Sequence, residues 1–432
     1  MYRKAMNELV AWKNSPRRKP LVIKGARQVG KTWLMNEFAI KEYSDSIYIS
    51  FDKDTDAIKL FSGVKDAKLI LQRLALMRGK PIQPEKTLVI FDEIQECPSA
   101  LGSLKYFNEE ANEYHVISAG SLLGTYLAEP MSYPVGKVNL LNIYPLTFEE
   151  YLAAADSGMY QYYCEVESGN DYVSAFHNRM IEHYKKYLII GGMPECVYNW
   201  VHNEDPEEIN TIQREIISLY ENDFTKHSGK INSGRILQVF RSIIPQLAKE
   251  NNEKFMYAAI AKSARAKDFE EAIEWLVSSG IVYRIHNVSK PKYPLRAYEV
   301  FSHFKLFLLD VGLVKHIAQL TNKSILISDA FQFKGQLAEN YVLEQLIPLL
   351  DYPPGYYAFA QHREIDFILQ HGGNVIPIEV KSGDSKHAVS FKSYINMHDP
   401  EISIRFSTRE YLENGAITNI PLYFAGKSLM LV

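Results

Sequence analysis

Residues Gly25-Ala26-Arg27-Gln28-Val29-Gly30-Lys31-Thr32 fit the spacing G-x-x-x-x-G-K-[ST], between the apolar run Leu21-Val22-Ile23 and an amphipathic stretch that begins at Lys31. A glycine at each end lets the backbone turn tightly, so that successive N–H groups and the start of a helix face phosphate oxygens. Lys31 adds a cation for the β and γ phosphates, and Thr32 offers a hydroxyl to magnesium. Together with Trp33, these residues form the expected nucleotide-binding set, with ATP and Mg2+ as the cofactors.

A triphosphate and its metal need a carboxylate from a neighbouring strand. Leu88-Val89-Ile90-Phe91 is such a strand by its continuous apolar run, and Asp92 at its C-terminal end is placed to hold the metal shell. Glu93 follows as the group that polarises the attacking water, which implies hydrolysis as well as binding. The next strand, His115 to Gly120, ends at Ser121, and Ser118 or Ser121 is expected to meet the γ-phosphate. Arg179 and Arg214 lie on helical stretches and read as surface residues.

Around this motif the chain alternates short β-branched runs (LVIKG, SIYISFD, TLVIFDE, HVISAG, KVNLLNI) with amphipathic segments, the pattern of a parallel α/β sheet. Past Pro145 helical periodicity takes over. Three helical segments and a two-strand turn then suggest a winged helix, followed by a second α/β unit. The expected fold is therefore α/β multidomain: a P-loop NTPase sheet over 1–145, a helical lid over 146–230, a winged helix over 231–300 and a C-terminal α/β domain over 301–432.

At 432 residues, with 47% hydrophobic and 23% charged residues, the chain can bury several cores, and its net charge of −3 gives no global basic field for nucleic acid. Cys97, Cys164 and Cys196 lack zinc-ligand spacing and read as buried, reduced thiols. No apolar stretch approaches the ~18 residues of a membrane helix, so a cytoplasmic protein without a membrane partner is expected. In the winged-helix region, Phe269, Ile273, Leu276 and Val277 recur at helical spacing. The opposite face carries one base against Asp268, Glu270, Glu271 and Glu274, which opposes insertion into a DNA groove.

Near the C-terminus, Asp366 sits in EIDFIL, and Glu379 and Lys381 in VIPIEVK, with Gly372-Gly373 between them as a hairpin turn. Strand alternation puts Glu379 and Lys381 on one face, where Asp366 joins them if the register permits. Two carboxylates suit a divalent metal, Lys381 can orient a water, and Glu339 on the preceding helix is a further metal-shell candidate. Glu364 shares a face with Asp366. His362 and Arg363 precede the acids on a loop.

GARQVGKT, LVIFDEIQ, SAGSLLG, YPLTFEEYL, GGMPECV, KLFLLDVGL and EIDF…IEVKSG, in that order, resemble a bacterial and archaeal family of AAA-type P-loop ATPases whose C-terminal domain of unknown function is similar to PD-(D/E)XK restriction-endonuclease-like nucleases. The likeness covers nearly the whole chain. It departs at Ala119, where the family usually has Thr. The first expectation is an ATP-hydrolysing enzyme coupled to nucleic-acid binding or processing, possible DNA included, through the C-terminal site. A second expectation is a nucleotide-dependent switch that contacts a protein partner or another copy of the chain, with an inert C-terminal site.

Overall fold

The computed structural model describes residues 1–120, 134, 136–226, 233–249, 254–262, 264–327, 333–359, 363–383 and 389–432. Ser121 and His362 lie outside the described residues. The chain forms two units, one of Arg3–Tyr144 with Ser278–Gly280, the other of Met1–Tyr2, Pro145–Val277 and Ile281–Val432.

In the first unit, β1 (Leu21–Lys24), β2 (Asp45–Ser50), β3 (Thr87–Asp92), β4 (His115–Ala119) and β5 (Asn139–Asn142) make a sheet of order β2-β3-β4-β1-β5. Every pairing is parallel. These are the five strands expected from the apolar runs. Helices Thr55–Phe61, Ala67–Arg78 and Pro98–Glu110 bury one face against Ile47, Ile49, Val89, Phe91 and Val116. The other face meets the helix Lys31–Glu42, whose Leu34, Met35 and Phe38 are buried. Parallel strands put all their C-terminal ends on one edge, and it is there that β1 runs into the glycine loop and β3 into Asp92.

The second unit holds β6 (Val282–Val288), β7 (Glu299–Leu308), β8 (Gly355–Phe359), β9 (Arg363–His371), β10 (Asn374–Lys381), β11 (Ser403–Ser407), β12 (Leu412–Asn414) and β13 (Ile417–Pro421). They form one sheet in the order β12-β13-β11-β10-β9-β8-β6-β7. This corrects the expected boundary at 300/301, which falls inside β7. The hairpin β6–β7 is no separate wing, because β6 continues the sheet through Asn287 and Tyr356, and Phe304, Leu306, Phe307 and Leu308 are buried. The helix Ala266–Ser278 buries Phe269, Ile273 and Leu276, and its Glu270, Glu271 and Glu274 are exposed. Part of that acidity is matched locally, since Glu274 pairs with Arg284 at 2.6 Å.

The helices between 148 and 226 also belong to this unit. His177–Ile190 packs on Val311–Ile317, and Phe148–Ala155 on the 3-10 segment Leu422–Met430. Two polar knots fix them. Lys427 Nζ donates to the carbonyls of Tyr163, Cys164 and Val166 at 2.7, 3.1 and 2.6 Å, closing the end of the helix Ser157–Glu165. Asp310 caps the helix Val311–Ile317, accepting from Leu313 N at 2.9 Å, and also accepts from Gly192 N at 2.5 Å. Cys97 and Cys196 are buried as expected; Cys164 is exposed, contrary to the reading of all three as buried.

Candidate functional site

The glycine loop owes its shape to three unusual backbone torsions. Gly25 has φ 149°, and a Cβ there would lie 2.2 Å from the carbonyl oxygen of Ile143. Gly30, with φ 90°, precedes the helix Lys31–Glu42 directly. Between them Gln28 holds φ 67°, a left-handed conformation that costs a non-glycine residue energy and that curls the backbone amides inward. Val29 and Ala26 are buried and pin the loop to the core, while Thr32 and Trp33 are exposed at the helix start. The first amides of that helix have no partner within it, which leaves donors for phosphate.

Lys31 is buried, and its ammonium donates to the carbonyls of Gly25 at 2.9 Å and Ala26 at 2.8 Å. Burial depresses its pKa to about 8, against the pull of the nearby Glu93 and Asp92 carboxylates. The cation is thus held on its own loop, at the site where it would meet phosphate.

Asp92, also buried, accepts hydrogen bonds at both of its carboxylate oxygens. Its Oδ2 accepts from Thr32 Oγ1 at 2.7 Å and from Tyr48 Oη at 2.8 Å, and its Oδ1 from Glu93 N at 3.0 Å. Thr32 and Asp92, expected to share a magnesium ion, are therefore in direct contact, and a hydroxyl bonded to a carboxylate is a donor set that suits Mg2+. Glu93 turns out of the strand at φ 49°, ψ 47°, and its Oε2 accepts from the buried Gln95 Nε2. Ser118 is otherwise engaged: buried within β4, it donates to Leu21 O at 3.1 Å and serves the sheet, not a γ-phosphate. Sequence reading missed Tyr48 and Gln95. Tyr48 could have been found by parity, because Ile47 and Ile49 enter the core and so leave Tyr48 on the face of the phosphate loop.

In the second unit the β9–β10 ladder pairs Phe367 with Ile378, so one step further Asp366 lies opposite Glu379. Asp366 Oδ2 accepts from Val380 N at 2.7 Å, and Lys381 Nζ meets Glu379 Oε1 at 2.5 Å. Glu379 Oε2 is buried without a hydrogen-bond partner. Burial and the Asp366 charge push Glu379 up to about 8, and the same two causes push Glu339 up to about 8. Lys305 of β7 enters the same cluster: it pairs with Glu364, and the charges of Glu364, Glu339 and Asp366 raise its pKa against burial. Sequence reading missed Lys305. Among the described residues no group of three or more His, Cys, Asp or Glu is arranged to hold a metal ion. The cluster as built gathers the carboxylates of Glu339, Glu364, Asp366 and Glu379 with Lys305 and Lys381.

Residues 17–152 match the family described as AAA domain, and residues 181–324 and 334–424 match two families described as domains of unknown function, DUF8612 and DUF4143. No curated protein matches the sequence. Among solved structures, a Walker-type ATPase of Pyrococcus abyssi is similar over 73% of this chain and 95% of its own, at 15% identity and a TM-score of 0.46. The RuvB Holliday junction branch migration motor of Thermotoga maritima is similar over 65% and 87%, at 15% identity and a TM-score of 0.29. The ORC1 protein of Aeropyrum pernix, solved in complex with DNA, is similar over 74% and 92%, at 12% identity and a TM-score of 0.27. The match over residues 17–152, with the parallel five-strand sheet, makes this part of the chain an AAA-type P-loop ATPase domain. Among the described residues no helix is long and apolar enough to cross a membrane.

Proposed function

We propose that the chain hydrolyses ATP with Mg2+ at the edge formed by Gly25–Thr32, Asp92 and Glu93. The single observation that carries this reading is the Thr32–Asp92 hydrogen bond, which joins the phosphate loop to the acidic strand end in one site. ATP would lie against the loop amides, and magnesium, held by Thr32 and Asp92, would supply charge neutralisation. Lys31 exchanges its two carbonyl partners for phosphate oxygens. Glu93, steadied by Gln95, accepts the proton of the attacking water. Phosphate release tests the assignment. Lys31→Ala should lose nucleotide binding, whereas Glu93→Gln should bind ATP and turn it over at least about a hundredfold more slowly, within the range that general-base catalysis supplies. Wild-type turnover in both variants would remove these residues from the mechanism.

We further infer a metal-dependent nucleic-acid site at Asp366, Glu379 and Lys381, coupled to the ATPase. Its support is the orphaned, buried Glu379 Oε2 beside the facing Asp366, a place where a cation would satisfy an acceptor that no protein group reaches. Glu339 is a candidate for the outer shell. Manganese binding by paramagnetic resonance, in a Lys31→Ala background that suppresses nucleotide-linked metal, tests this reading. Loss of one ion in Asp366→Ala supports it, and identical binding in both proteins overturns it. Plasmid and single-stranded DNA incubated with Mn2+, with and without ATP, then report whether the site cleaves.

A further inference from the structure

We propose that Tyr48 is a positioning residue of the magnesium site, its phenol fixing Asp92 in the orientation that the metal shell needs. The inference rests on the ATPase reading above.

Tyr48 is not placed by the core. It lies on the edge strand β2, where Ile47 and Ile49 are buried in the opposite face, and it remains 40% exposed. The register sets Tyr48 level with Ile90 and Ser50 level with Asp92, so the ring leans two residues along the strand before its hydroxyl meets Asp92 Oδ2 at 2.8 Å. Thr32 Oγ1 reaches the same oxygen at 2.7 Å. With Glu93 N on Oδ1 at 3.0 Å, the carboxylate is held at three points.

A carboxylate has about four acceptor directions, so three donors leave one aimed by the rest. Without the phenol, Asp92 would keep Thr32 and the Glu93 amide, which both lie on segments that nucleotide binding itself engages. Tyr48 is the donor among the three that comes from a strand outside the phosphate loop and the acidic turn. It therefore holds Asp92 in place before the ligand arrives. Hydrogen-bond partners of metal-binding carboxylates orient them in this way, and removing one commonly weakens metal binding.

The test is Tyr48→Phe in the full chain, which deletes one oxygen and keeps the ring. A non-hydrolysable ATP analogue is titrated by calorimetry in EDTA and at a series of Mg2+ concentrations, alongside the thermal melting point without ligand. Affinity in EDTA and the melting point should match wild type, while the Mg2+ concentration giving half of the metal-dependent affinity gain should rise about tenfold. A magnesium curve that overlays wild type overturns the inference and leaves the ATPase reading standing. Equal weakening in EDTA and in Mg2+ also overturns it, because the role would then be structural. If wild type binds no analogue under any condition, the ATPase reading fails and takes the inference with it.

Discussion

At the scale of single residues, the nucleotide site is a set of charges held ready by partners that a ligand must replace. Lys31 shows this most directly. Its depressed pKa, about 8, comes from burial, and a bound triphosphate would raise it by favouring the ammonium. ATP binding should therefore take up protons at pH 8, on the order of half a proton, because the free protein is about half deprotonated there. At pH 6.5 both states carry the charge and uptake should vanish. Calorimetry in two buffers of different ionisation enthalpy measures it directly; uptake that does not change between these pH values would remove Lys31 as the source. Gln95 gives a second prediction. Its amide holds Glu93 Oε2, so Gln95→Leu should slow hydrolysis while leaving nucleotide affinity nearly unchanged, as read by phosphate release and calorimetry.

At the scale of elements, buried polar knots join segments that are far apart in sequence, and Glu344 on the helix Lys334–Leu346 is the most telling of them. Tyr187 Oη lies 2.5 Å from both Leu146 O and Glu344 Oε1. A phenol carries one proton and a carbonyl can only accept, so Tyr187 donates to Leu146 and Glu344 must be the protonated partner that donates to Tyr187. Its other oxygen accepts from Val311 N at 2.9 Å. Burial and the neighbouring Asp310 push its pKa well up, in agreement with that geometry. The sign for stability follows. Below the unfolded value near 4.5 both states are protonated and the contribution is complete; above it only the unfolded chain ionises, and stability falls as pH rises toward the folded value. Glu344→Gln keeps one donor and one acceptor and cannot ionise. It should match wild type near pH 4.5 and be the more stable of the two at pH 8, as urea unfolding would show. A variant weaker at both pH values would mean that Glu344 is charged in the fold.

At the scale of the whole molecule, Pro145–Val277 and Ile281–Val432 belong to one compact unit. β7 carries Lys305 into the acid cluster of β9 and β10, and Lys427 closes a helix that ends at Glu165. A fragment of residues 301–432 would lose β6 and the helices that cover its sheet, exposing apolar surface and the partners of Asp310 and Lys427. It should be insoluble or bind a hydrophobic dye, whereas residues 145–432 should unfold in a single transition followed by circular dichroism. A folded 301–432 fragment would show that the C-terminal strands form a domain alone.

Features that depend on neighbours along the chain are legible in the residues themselves. The glycine loop, the strand that ends at Asp92, the adjacent Glu93 and the Gly372–Gly373 hairpin are local, since backbone freedom and strand alternation are properties of a few consecutive residues. The tertiary structure alone decided which distant groups share a proton or a charge. Tyr48 reaches Asp92 because β2 pairs with β3 in one register; Lys305 joins Glu364 because β6 and β7 extend the C-terminal sheet. The place of Ser118 was also settled by packing, for a mid-strand hydroxyl facing β1 bonds to that strand before it can reach a ligand. Sheet pairing is a long-range choice, made by total burial over many residues, and no window of sequence contains it.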